Sequence, residues 1–149
     1  MSRDFQISLR LSEHMKKLTI GADRSRLGEV LSFVDDYLGQ HDCPPKTLMQ
    51  IDIAVEEIFV NIASYAYAGD VGEAVISVDV TDDPASAVIV FSDSGLPFDP
   101  LKKPDPDVTL SADERQIGGL GIFMVKKTMD EVSYKYENGR NVLTIRKKI

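Results

Sequence analysis

The segment from Pro45 to Tyr67 constrains this chain more than any other. Leu48, Ile51, Val55, Ile58 and Ile62 recur at helical spacing, so the segment reads as one long amphipathic helix with an apolar stripe against a core. Glu57 and Asn61 stand four residues apart, hence one above the other on one side. Glu56 projects about 100° away around the axis, so Glu57 is the acid that shares the Asn61 face. A carboxylate above an amide is an ordinary surface pair on most helices. Two glycine-bearing stretches follow it, Asp93-Ser94-Gly95-Leu96-Pro97-Phe98-Asp99-Pro100 and Gly118-Gly119-Leu120-Gly121. Together they form a set of parts suited to holding a nucleotide with a metal ion.

The flanks supply a sheet and two more helices. Phe5, Ile7, Leu9 and Leu11 alternate with polar residues and predict a strand. Met15 to Ile20 is a second short strand, in a hairpin with the first across Ser12 to His14. Asp23 is placed to cap a helix carrying Leu27, Val30, Leu31, Val34 and Leu38, closed by Gly39. His41 to Pro45 is a turn. Ala74, Ile76, Val78 and Val80 alternate as a strand. Ser86 to Phe91 is a continuous β-branched and apolar run, as expected of a buried central strand, and it leads into Asp93. Residues 101–117 hold Lys102-Lys103, Pro104, Pro106, several aspartates and Arg115, a long polar loop of the functional or mobile kind. Gly119 and Gly121 open a helix with Ile122, Val125 and Met129 on one side. Val132 to Tyr136 and Val142 to Ile145 are closing strands joined by an Asn138-Gly139 turn. This order favours a single α+β domain over residues 1–149: a two-layer sandwich, one mixed, mostly antiparallel sheet with helices on one face.

Composition excludes several function classes. A net charge of −7 argues against a direct nucleic-acid surface, which needs clustered Lys and Arg. The single cysteine, Cys43, cannot form an internal disulfide or a multi-cysteine metal site; it reads as structural or incidental. The apolar run Ala87 to Phe91 is too short to span a bilayer. Charged residues at Arg3, Asp4, Arg10 and Glu13 leave no room for a signal peptide, so a cytoplasmic protein without membrane contact is expected. His14 and His41 have no partner pattern and read as surface residues.

Asp93 stands just past the buried strand, where a sheet end meets a cleft. An aspartate there can accept a hydrogen bond from an exocyclic amine such as that of adenine, and Gly95 permits close backbone approach. Asp-Ser-Gly is equally ordinary turn chemistry. The glycines from Gly118 to Gly121 precede a helix, whose free N–H groups favour anionic oxygens. They match neither a Walker loop nor a dinucleotide fingerprint, and a simple loop also explains them. The Asn61 oxygen suits Mg²⁺, which takes few ligands from protein and the rest from phosphate and water. Glu57 could accept a proton from an attacking hydroxyl, while Asp52 and Glu56 nearby also fit a solvated helix face. Tyr65 and Tyr67 continue the helix as packing residues.

Taken in order, these pieces resemble the Bergerat-fold, histidine-kinase-like ATPases, and more narrowly the anti-sigma factor serine/threonine kinases. Glu57-x-x-x-Asn61 resembles the N box. Asp93-x-Gly95-x-Pro97-Phe98-Asp99-Pro100 resembles the first glycine box in its anti-sigma form. Gly118-Gly119-Leu120-Gly121-Ile122-Phe123, then Met129-Asp130-Glu131-Val132, resembles the second box and the helix after it. The resemblance implies Asn61 as the Mg²⁺ ligand and Glu57 as general base. It implies Asp93 with Gly95 and Phe98 at the adenine, and Gly118, Gly119, Leu120 and Gly121 at the phosphates. Thr144 matches a strand threonine near the base. Residues 101–117 become an ATP lid, and residues 1–14 an extra N-terminal strand. ATP or ADP and Mg²⁺ are the implied cofactors. The implied partners are an anti-anti-sigma (STAS-type) protein as substrate, a sigma factor, and a second copy in a homodimer. Three readings compete. The first is a serine kinase that sequesters a sigma factor. The second is a nucleotide-gated binding module without kinase activity. The third, the catalytic module of a histidine kinase, is disfavoured because no helix offers a phospho-accepting histidine. Tyr65 departs from the histidine that often follows the N-box asparagine by four residues.

Overall fold

The computed structural model describes residues 14–82, 84–102 and 119–149. Strand β1 (Lys16–Gly21) is followed by a 3-10 turn, Arg24–Arg26, and helix α1 (Leu27–Gly39). Asp23 caps the turn: its carboxylate accepts from the Ser25 backbone N–H at 2.8 Å, which satisfies a donor that a helix start leaves open. Helix α2 (Pro45–Tyr65) starts with proline at its first position, where the missing N–H costs nothing. It buries Ile51, Ala54, Val55, Ile58 and Phe59, the 3.6-residue stripe of an amphipathic helix. The helix ends two residues earlier than its periodicity predicts. Ala66 caps it, and Ala68 and Gly69 turn the chain away through positive φ, so Tyr67 lies beyond the helix.

Strands β2 (Glu73–Thr81) and β3 (Ser86–Asp93) form a hairpin, and α3 (Gly119–Thr128) leads into β4 (Glu131–Glu137) and β5 (Arg140–Lys148). Asn138 and Gly139 join the last two with φ of 55° and 76°, the paired positive values a two-residue hairpin turn requires. The sheet runs β1-β2-β3-β5-β4, with β3 at its centre. Every pairing among the described strands is antiparallel, so the mixed sheet expected from sequence is antiparallel here. The reason is that the connection through α3 carries the chain to the edge strand β4. The tight turn then returns β5 between β4 and β3.

One layer of side chains joins sheet to helices. Ile20, Ala74, Ile76, Val78, Ala87, Ile89, Phe91, Leu143 and Ile145 face Val30, Val34, Leu38, the α2 stripe and Val125 in a single core. The expected strand over Phe5 to Leu11, its hairpin, and most of the 101–117 loop lie outside the described residues. Among the described residues no helix is long and apolar enough to cross a membrane.

Candidate functional site

The sheet's central strand and helix α2 diverge at one end, and a cleft opens between them. Its walls are Asn61, Ile62, Tyr65 and Ala66 of the α2 end, Phe91 and Asp93 of β3, and Leu96, Phe98 and Pro100 of the following loop. Ile122, Tyr134, Asn141 and Leu143 complete it. The lining is largely apolar with a few convergent polar groups, the usual make-up of a small-molecule site.

Asp93 is the acid at the cleft floor, 4% exposed. Its Oδ1 accepts from the Gly95 backbone N–H and from Asn141 Nδ2, both at 2.9 Å. Both bonds end on Oδ1, which leaves Oδ2 as the acceptor for whatever fills the cleft. Gly95 is required by contact: a Cβ there would collide with the Ala66 carbonyl oxygen, while the next residue, Leu96, donates its N–H to that same oxygen at 2.8 Å. Phe98 and Tyr65 both line the cleft and are its exposed aromatic rings, at 44% and 59%. Tyr67, expected to pack as part of the helix, instead bridges the start of β2 and the loop after β3. Its hydroxyl donates to the Glu73 carbonyl and accepts from the Ser94 N–H at 3.0 Å.

Asn61 lines the cleft, and its Nδ2 donates to Glu57 Oε1 at 3.3 Å. That bond fixes which way the amide points and turns Oδ1 away from the carboxylate. Glu57 lies one turn earlier, half-buried, with its carboxylate against Gly121 in the first turn of α3; a Cβ on Gly121 would overlap that carboxylate. The acid, the amide and a helix start are thus brought together. Glu56 points into solvent. Gly119 opens α3 and Leu120 lies in it, and Gly118 is outside the described residues. Among the described residues no group of three or more His, Cys, Asp or Glu could hold a metal ion. The amide oxygen of Asn61 would suit Mg²⁺, which takes few ligands from protein and the rest from phosphate and water.

Thr144 does not belong to the cleft. Leu143 and Ile145 point into the core, so Thr144 between them lies on the opposite face of the sheet, paired with Val90. The β5 side chain beside Asp93 is Asn141, in direct register with it and 7% exposed. Asn141 and Tyr134 are the site residues that sequence reasoning missed. Burial chiefly pushes the Tyr134 phenol above its usual range, against the lowering effect of the Phe98 backbone bond, so it remains a donor to Asn141 Oδ1. His41, expected as a surface residue, stacks on Tyr37 with ring centres 4.5 Å apart and bonds the Tyr37 carbonyl at 2.8 Å through Nδ1.

With this geometry in place, the chain can be set beside known proteins. The model of the histidine kinase-like ATPase domain family matches residues 20–147. The chain belongs to that family. Among curated relatives it is 26% identical over 131 residues to the serine-protein kinase RsbW of a Bacillus cereus strain, covering 85% of this chain and 72% of that one. It is 29% identical over 103 residues to the RsbW of Listeria monocytogenes, covering 66% of this chain and 64% of that one. Among solved structures it is similar to the RsbU and RsbW domains of Rv1364c from Mycobacterium tuberculosis, with a TM-score of 0.62 at 17% identity. That match covers 89% of this chain but only 32% of the solved one. A histidine kinase domain from Erythrobacter litoralis follows at a TM-score of 0.51 and 15% identity, covering 84% of this chain and 60% of that one. At these identities the solved structures bear on the fold alone, which among the described residues of this chain is a five-stranded antiparallel sheet under one helical layer.

Proposed function

We propose that the chain binds ATP with Mg²⁺ in the Asp93 cleft and transfers the terminal phosphoryl group to a serine of an anti-anti-sigma (STAS-type) protein. In this reading it also sequesters a sigma factor, acts in the cytoplasm, and pairs with a second copy of itself. The observation that carries the proposal is the stack of Glu57 and Asn61 under Gly121, beside a cleft floored by Asp93. The serine-protein kinase names of the relatives support the same reading.

Each residue then has a separable task. Asp93 Oδ2 accepts from the adenine amine, and Phe98 and Tyr65 offer flat apolar surface along the cleft. The backbone N–H groups of the first turn of α3, from Gly119 to Gly121, would meet the phosphate oxygens. Asn61 Oδ1 is the protein ligand for Mg²⁺, which supplies charge neutralisation at the phosphates. The substrate serine oxygen attacks the terminal phosphorus, the bond from that phosphorus to the ADP oxygen breaks, and the serine proton passes to Glu57.

The test is incubation of the purified chain with labelled ATP, Mg²⁺ and a purified STAS-type anti-anti-sigma protein. Label should appear on a serine of that protein. Nucleotide binding with no transfer to any such protein would instead favour a nucleotide-gated binding module.

A further inference from the structure

Asn141 makes more use of its side chain than any other polar residue at the cleft. Its Nδ2 donates to Asp93 Oδ1 at 2.9 Å and to the Leu96 carbonyl at 2.9 Å, with the Gly95 carbonyl farther at 3.5 Å. Its Oδ1 accepts from the Phe98 N–H at 3.1 Å and from the Tyr134 hydroxyl. A primary amide has two N–H donors and one oxygen with two lone pairs, so this one is fully used. The amide orientation is dictated as well: Phe98 N–H needs an acceptor and Asp93 needs a donor, and only one of the two orientations satisfies both.

We propose that Asn141 is a positioning residue that sets the base selectivity of the Asp93 cleft, favouring 6-aminopurines over 6-oxopurines; this rests on the nucleotide reading above. With Gly95 N–H and Asn141 both on Oδ1, the carboxylate cannot rotate without losing two bonds. It therefore presents Oδ2 in one direction. A 6-amino group donates to that oxygen, whereas a 6-oxo group sets an acceptor against an acceptor. The same amide ties the loop from Gly95 to Phe98 onto the end of β5, so the wall and the floor of the base site are held by one side chain. Neither aspartate nor threonine replaces it. Aspartate has the shape but would set acceptors against Asp93 and the Leu96 carbonyl. Threonine has one hydroxyl for four partners.

The test is calorimetric titration with ADP and with IDP, both with Mg²⁺, of wild type, Asn141→Ala, Asn141→Asp and Tyr134→Phe. The readout is the ratio of the two affinities. A fold that is merely loosened weakens both nucleotides alike and leaves the ratio unchanged. Wild type should prefer ADP by roughly 5- to 150-fold, the range of one hydrogen bond made or opposed in a pocket. Asn141→Ala and Asn141→Asp should lose most of that preference. Tyr134→Phe removes one donor to Asn141 without touching Asp93, and should shift the ratio the same way by less; it keeps the test decisive if the Asn141 variants do not fold. An Asn141→Ala protein with the wild-type ratio, or a wild type that binds ADP and IDP equally, overturns the proposal while nucleotide binding stands. A wild type that binds neither nucleotide overturns both.

Discussion

At the scale of single residues, Glu57 and Asn61 share a helix face but should fail differently. Asn61→Ala removes the oxygen assigned to Mg²⁺, so the Mg²⁺-dependent part of ATP affinity should fall together with turnover. Glu57→Ala removes the proton acceptor and frees the Asn61 amide it holds, so Mg-ATP should still bind, somewhat more weakly, while phosphotransfer drops further, by about 10²-fold, the low end for a positioned base in a loose transition state. Glu56→Ala is the control, because Glu56 points to solvent, and it should leave both nearly unchanged. Measuring affinity and transfer on all three separates the roles; wild-type transfer by Glu57→Ala would remove Glu57 as the base.

At the scale of elements, two glycines make contrasting predictions about how α2 meets its neighbours. A Cβ at Gly95 strikes the Ala66 backbone oxygen, which is fixed at the end of α2. Gly95→Ala should therefore destabilise the fold by about 1–3 kcal/mol, the cost of overpacking against an unyielding neighbour. A Cβ at Gly121 meets the free end of the Glu57 side chain, which can swing aside. Gly121→Ala should change stability little, since alanine also favours the helix by about 0.5–1 kcal/mol, yet reduce phosphotransfer by displacing the carboxylate. Denaturant titration alongside a transfer assay checks the pair; equal stability losses in both variants would contradict this contrast.

The α1–α2 contact carries a charge device of its own. Asp52 of α2 is pushed up to about 7, first by burial and then by a hydrogen bond with and the charge of Asp35 on α1. Each aspartate has a buried Oδ1 without a hydrogen-bond partner among the described residues. Burial and the same two acids also raise the Cys43 thiol. A folded-state pKa above the unfolded value means that the folded chain holds a proton the unfolded chain has released. Stability should then fall as pH rises from about 4 to 7 and stay lower above that. Asp52→Asn should remove this slope and gain about 1–2 kcal/mol at pH 8 but nothing at pH 4, a fraction of the roughly 1.4 kcal/mol per pH unit because water reaches the pair. Unfolding titrations at both pH values decide it; an equal gain at the two would point to packing instead.

At the scale of the whole molecule, what the sequence made legible follows from periodicity and turn chemistry. The α2 stripe is regular at 3.6 residues, β3 is an unbroken apolar run, and Asn138-Gly139 has few conformations other than a hairpin turn. The site parts that lie on these elements, Glu57, Asn61 and Asp93, could be placed for the same reason. Thr144 was misplaced because β5 carries apolar residues at both 142 and 143, so its alternation does not say which face is inward. Only the register of Asn141 against Asp93 fixes the face, and register is a tertiary fact. The Asp35–Asp52 and Tyr37–Asp79 pairs were hidden for a like reason. Each depends on how two separate elements pack: α1 against the next helix for Asp35–Asp52, and α1 against the sheet where the Tyr37 hydroxyl donates to the buried Asp79 at 3.2 Å. Tyr67 was read as helix because the apolar pattern runs on past the point where positive φ at Ala68 and Gly69 ends it.

All of these roles depend on an adenine nucleotide occupying the cleft with its amine on Asp93. Two donors already hold Oδ1 of that side chain, so in Asp93→Asn the amide must keep its oxygen on them and turn its NH₂ toward the adenine amine. The most direct measurement is a calorimetric titration of wild type and Asp93→Asn with ADP and Mg²⁺. Wild type should bind, and the variant should bind about 5- to 150-fold more weakly, the cost of one opposed hydrogen bond in a pocket. Wild-type affinity in the variant would remove Asp93 from the nucleotide site and contradict the account.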